Sequence, residues 1–149
     1  MLQRVQTLYL LGAVILFIIM MCFPMGYLHT VNSQAFPFWT IGVPGKLGFH
    51  YTLTIFIILL LSALCELITI FLFKNRVLQM RLTIFNIVLQ VGFYIAVAAY
   101  LLIFKNDFNA TFSVYFTLFL PLVTIFFNIM AFRKIHKDEA LIRSLNHLR

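Results

Sequence analysis

Charge is in short supply in this chain. Of its 149 residues only 10% are charged, where soluble domains run at about 25%. Four are acidic: Glu66, Asp107, Asp138 and Glu139. That excludes an ordinary soluble surface and leaves too few carboxylates for a proton relay across a bilayer. There are 2 cysteines. Cys22 and Cys65 fall near the outer end of one apolar run and in the inner half of another, farther apart than the roughly 7 Å between Cα atoms that a disulfide bridges. No CxxC, HExxH or histidine pair at metal spacing occurs. A Ser, His and Asp set on one face is also missing, as is a glycine-rich phosphate loop. The expectation is no enzyme, no cofactor and no metal.

What is present is apolar. The chain is 63% hydrophobic, and long stretches between basic residues are nearly free of charge. Residues 5–45 and 82–104 carry none, 47–73 carry only Glu66, and 106–132 carry only Asp107. A helix needs about 20 apolar residues, rising 1.5 Å each, to cross a hydrocarbon layer about 30 Å thick. Four helices fit, at about 7–24, 49–73, 82–104 and 112–132. Barrel strands would show alternation, and FIILLLSAL (56–64) shows none. The apolar run LYLLGAVILFIIMMCF (8–23) exceeds a signal-peptide core and is read as a retained first helix. The fold class expected is all-α: one four-span membrane bundle over residues 1–149, with an outer loop at 25–48 and a tail at 133–149.

Basic residues orient it. Arg4, Lys74, Arg76, Arg81, Arg133, Lys134, Lys137, Arg143 and Arg149 fall on one side of the four spans, and only Lys46 and Lys105 on the other. The positive-inside rule then puts both termini in the cytoplasm. Anionic lipid headgroups are the expected partners of these charges, at about 1 kcal/mol per basic residue near the surface. No nucleic-acid binding is expected, because the charges flank helices.

In the outer loop, Pro37, Pro44, Gly42, Gly45 and Gly48 break any helix. Phe36, Phe38 and Trp39 suit a membrane–water interface. A loop lying on headgroups is expected, or else an outward docking surface. NAT (109–111) matches a glycosylation acceptor by chance, being so close to the fourth helix. Pro121 is expected to kink that helix. Gly92 and Ala96 form a small-xxx-small pair expected to pack.

Glu66 is the most costly residue in this scheme. It sits about 12 Å from the inner boundary set by Lys74, and a carboxylate in hydrocarbon must be protonated, paired or hydrated. Ser62, Glu66 and Thr69 share one helical stripe. Matching depths on the other helices bring Asn86, Gln90 and Asn128 to it, with Gly12 allowing close approach. This intramembrane polar cluster reads either as glue that fixes helix pairing or as a proton or ion relay.

The tail KIHKDEALIRSLNHLR (134–149) is amphipathic. Ile135, Leu141, Ile142, Leu145 and Leu148 occupy one arc, with His136, Glu139, Arg143, Ser144 and His147 outside it. A helix continuing from the fourth span and lying at the cytoplasmic interface is expected, with that arc as a docking face.

Three segments carry a family resemblance: MLQRVQTLYLLGAVIL (1–16), KNRVLQMRL (74–82) and KDEALIRSLNHLR (137–149). Together they resemble the start, central turn and end of domain-of-unknown-function family 4293. The resemblance spans the chain and implies a small four-helix inner-membrane protein of the bacterial phylum Bacteroidota. It supplies no catalytic residues. The leading functional expectation is a non-enzymatic accessory or assembly subunit of a larger membrane complex, in contact with another membrane protein subunit. The alternative is a small transporter or ion-coupled protein using Glu66.

Overall fold

The computed structural model describes residues 2–29, 35–45, 48–73, 75–108 and 111–147, and the side chains within 6–29, 35–44, 49–73, 75–106 and 111–141. Four α-helices dominate: α1 (Leu2–Cys22), α2 (Leu53–Phe71), α3 (Arg76–Phe108) and α4 (Leu120–His147). Each packs against its neighbour in sequence, and α4 closes the ring against α1. This is the up-down-up-down arrangement that short connections favour. With 33 and 28 residues, α3 and α4 are about 50 and 42 Å long at 1.5 Å per residue. Three helices are long and apolar enough to cross a membrane, over Leu53–Phe71, Arg76–Asn106 and Phe116–Leu141. The described apolar part of α1, Gln6–Cys22, is shorter.

The fold is not purely helical. Five strands stand at one end: β1 (Gly26–His29), β2 (Ala35–Phe38), β3 (Gly42–Gly45), β4 (Gly48–Tyr51) and β5 (Thr111–Val114). They form an antiparallel sheet ordered β2-β1-β5 and a β3-β4 hairpin. The described residues of the expected outer loop thus form strands of a cap, which recruits the α3–α4 connection. β5 pairs with β1 from Gly26↔Val114 to His29↔Thr111. The glycines and prolines that rule out a helix at 25–48 do not rule out short strands, and Pro37 and Pro44 sit within two of them. Gly26 is required by close approach, since a Cβ there would lie 2.4 Å from the Ser113 carbonyl oxygen. The Thr52 hydroxyl donates to the Thr40 carbonyl at 3.1 Å, fastening the cap to the start of α2.

Strand pairing also moves two helix starts. Phe49, His50 and Tyr51 belong to β4, so α2 begins at Leu53. Residues 111–114 belong to β5, and a 3₁₀ turn (Phe116–Phe119) precedes α4. Pro121 therefore lies in the first turn of α4, where its missing N–H costs no intrahelical bond. The expected kink has no cause there.

Polarity is inverted between interior and surface. Exposed faces carry large apolar side chains such as Leu61, Ile68, Val88, Ile95 and Phe126. Inside, the half nearest the cap is apolar, with Phe17, Met20, Phe38, Ile55, Leu59 and Phe93 buried. Phe38, expected at an interface, is instead core, edge-on to Phe104 and Phe112. The other half of the interior carries the buried polar side chains, interleaved with Leu10, Ala131 and Ile135.

Candidate functional site

Each helix buries a seam of residues spaced three and four apart, the spacing that keeps one face inward. On α3 the seam runs Gln79, Thr83, Asn86, Gln90, Phe93, Val97. It is polar over the first four positions and apolar from Phe93 onward. On α2, running the opposite way, it passes from Ile55 and Leu59 to Ser62, Glu66 and Thr69. α4 adds Thr124 and Asn128, then Asp138 beyond Ile135; α1 adds Gln6. The polar stretches coincide in the half of the bundle away from the cap.

The expected cluster is assembled as the helical spacings require. Ser62, Glu66, Thr69, Asn86, Gln90 and Asn128 are all buried, Glu66 with none of its surface exposed. Asn128 and Asn86, from α4 and α3, are the side chains placed to hydrogen-bond the Glu66 carboxyl, but neither contact closes to hydrogen-bond geometry. Gly12 lies elsewhere. A Cβ on it would meet the Phe127 ring at 3.1 Å, so its smallness serves the α1–α4 contact. Gly92, expected to pack, has nothing within 4 Å of where its Cβ would be.

The periphery of the cluster is well bonded. The Thr69 hydroxyl donates to the Cys65 carbonyl at 2.7 Å, and that of Thr83 to the Gln79 carbonyl at 2.9 Å. These back-bonds satisfy hydroxyls within their own helices. The Gln79 amide donates across to the Thr69 carbonyl at 3.1 Å, tying α3 to α2. The Thr124 hydroxyl lies 3.0 Å from Gln90 Oε1 and 2.8 Å from the Pro121 carbonyl.

The centre is different. Ser62 Oγ, both Glu66 oxygens, both polar atoms of Asn86 and Asn128, and Gln90 Nε2 have no hydrogen-bond partner. Buried polar groups are almost always paired, each unpaired one costing about 1–3 kcal/mol. Counter-charge is missing too: among the described residues no Lys, Arg or His is buried. A buried carboxyl with further buried oxygens on Ser62, Asn86 and Asn128 is suited to holding a small positive species. Both cysteines are free thiols.

Asp138, Gln6, Arg76, Gln79, Thr83 and Thr124 did not figure among the expected site residues. Gln6 Nε2 donates to Asp138 Oδ2 at 2.5 Å, and Arg76 approaches the same oxygen at 3.9 Å. The readable signal was the three-four spacing of Gln79, Thr83, Asn86 and Gln90. Asp138 gave none, because it sits among surface charges in sequence. Of the expected docking arc, Ile135 is fully buried and Leu141 is half exposed. Leu148 and the side chains of Ile142 and Leu145 lie outside the described residues. The tail continues α4 without a break to His147, so its inner part is bundle core.

A family model described as Domain of unknown function (DUF4293) matches residues 2–148. No match was found among curated proteins or among solved structures.

Proposed function

We propose, for a chain that belongs to the domain-of-unknown-function family DUF4293, a multi-pass inner-membrane protein of Bacteroidota that holds a small cation, proton or metal ion, at Glu66. It is non-enzymatic on this reading, with both termini cytoplasmic. The exposed apolar belt supports burial in lipid, since contiguous surfaces of that kind are rare in water. The nine-to-two division of basic residues supports the orientation and contact with anionic headgroups.

The unpaired centre around Glu66 carries the ion-site reading over the glue reading. Polar glue works through hydrogen bonds between helices; Gln90 and Thr69 make such bonds at the edge of the cluster, but Ser62, Glu66, Asn86 and Asn128 at its centre close none. Nor can Glu66 serve as a contact to another subunit, because it faces its own bundle with no exposed surface. A lone carboxylate in such surroundings costs several kcal/mol unless neutralised, and no basic side chain is there to do it.

The accessory-subunit reading has one observation of its own. Around Gly92, α3 presents exposed Val88, Val91 and Ile95 beside an open position, a shape that accepts another helix closely. Difference infrared spectroscopy on reconstituted protein separates the two. A carboxylic-acid band that changes with bulk pH or salt, and vanishes in Glu66→Gln, is expected of the ion site. Identical spectra for wild type and Glu66→Gln in every ionic condition would leave the accessory role alone.

A further inference from the structure

We propose that the species held at Glu66 is a dehydrated monovalent metal cation of the sodium kind, bound by oxygens from α2, α3 and α4. This rests on the ion-site reading above and specifies its ligand. The unpaired oxygens are Glu66 Oε1 and Oε2, Ser62 Oγ, Asn86 Oδ1 and Asn128 Oδ1, beside the unpaired amide nitrogens of Asn86, Asn128 and Gln90. Ser62 stands one helical turn from Glu66 on α2, and the two asparagines stand beside the carboxyl from α3 and α4 without closing a hydrogen bond to it. All four residues have no exposed surface. The site is thus drawn from three helices and closed to solvent.

Charge and valence select among occupants. A proton on Glu66 neutralises the carboxylate and lets it donate to one amide or hydroxyl oxygen, leaving the other oxygens unengaged. One metal ion can engage all of them at once. Carboxylate, amide and hydroxyl oxygens suit hard cations, whereas soft transition metals favour sulfur and imidazole. Cys65 is the nearest sulfur in sequence, and its thiol is directed to the Leu82 carbonyl at 3.7 Å. A divalent ion would leave a net positive charge in the interior. Calcium also takes 6–8 oxygens, and magnesium keeps several waters in a strict octahedron. A monovalent ion leaves the centre neutral, which the low-dielectric surroundings require.

The polar seam indicates the side of entry. Gln79, Thr83 and Thr69 continue from the centre toward Gln6 and Asp138, while Leu59, Phe93 and Phe17 close the opposite direction. Exchange should run from the end where α2 turns into α3.

The test is thermal unfolding of the full chain in nanodiscs, in choline chloride, with sodium chloride replacing choline at constant ionic strength. A ligand that binds only the folded state raises the midpoint as the logarithm of its concentration above Kd. The expected result is a sodium-dependent rise that potassium, calcium and choline do not reproduce. Asn86→Ala and Asn128→Ala should raise the sodium concentration needed by about tenfold or more, the scale on which metal sites respond to lost supporting groups. Glu66→Gln should abolish the response. Should that variant fail to fold, equilibrium binding of radioactive sodium to the wild-type chain decides, with saturable binding expected. A midpoint indifferent to sodium, with no saturable binding, overturns the sodium assignment. If the infrared band of Glu66 still titrates with pH, the proton form of the ion site survives; if it does not, both readings fall together.

Discussion

The side-chain amide of Gln6, near the start of α1, donates to the carboxylate of Asp138, in the last third of α4. Both residues are buried. Arg76, opening α3, approaches the same oxygen at 3.9 Å. Three helices are thereby joined at the end of the bundle opposite the cap, and a residue of the charged tail becomes an interior one.

Asp138→Ala should destabilise the bundle, because it strips the Gln6 amide of its acceptor. Hydrogen bonds to charged groups contribute about 1.5–3 kcal/mol, and that range is the expected loss in unfolding free energy in a fixed detergent. Asp138→Asn keeps an acceptor for Gln6 and should lose less. Arg76→Ala should cost under about 1 kcal/mol, as partly exposed ion pairs do. An Asp138→Ala variant as stable as wild type would remove the lock from the fold.

Two glycines should behave oppositely. Gly26→Ala forces a Cβ against the Ser113 carbonyl and the Phe112 ring, and overpacking of that kind costs about 1–3 kcal/mol. Gly92→Ala meets nothing and replaces glycine within a helix, a gain of up to about 1 kcal/mol. Thermal midpoints of the two variants check both signs. Gly92→Leu adds a different readout: loss of a co-purifying subunit without loss of stability would support the accessory reading.

Along the tail, Ile135 and Leu141 separate packing from docking. Ile135→Ala removes a fully buried side chain and should cost about 2–5 kcal/mol. Leu141→Ala, at 49% exposure, should stay within about 0.5 kcal/mol. Leu141→Asp combined with Leu145→Asp should instead weaken attachment to lipid or partner, measured by flotation or co-purification. If that pair changes neither, residues beyond Asp138 serve only as a charged stop.

Topology is testable with cysteines at two exposed positions, Tyr51 in the cap and Asn75 at the α2–α3 turn. In a Cys22→Ser background, an impermeant maleimide added to intact cells should label Tyr51→Cys and spare Asn75→Cys. Reversed labelling would invert the orientation drawn from the basic residues.

Helices were the readable part of the sequence, because apolar length and three-four spacing are local properties. Glu66, Asn86, Gln90 and Asn128 could be matched in depth by counting from Lys74 and Arg81, since an antiparallel hairpin fixes depth by residue number. Strands were not readable. Each has four residues, and β1 is completed by β5 from a distant connection, so neither shows its partner in its own composition. Asp138 gave no signal of its burial, because burial at a bundle end depends on which helix ends meet. The change from polar to apolar at Phe93 was in plain view along the α3 seam, but its significance needed the matching change on α2, from Leu59 to Ser62.

The pairing of β1 with β5 also sets an order of events during synthesis. β1 cannot complete its sheet until the chain has passed through α2 and α3 and delivered β5. At roughly 5–20 residues per second, His29 waits on the order of ten seconds for its partner Thr111. Throughout that interval one edge of β1 is an open template for any passing strand. Chains arrested on the ribosome before Thr111 should therefore be cut between α1 and α2 by an added protease, while chains released with α4 in place should resist it. The cap is thus completed only when three helices have been made, although most of its residues are made early.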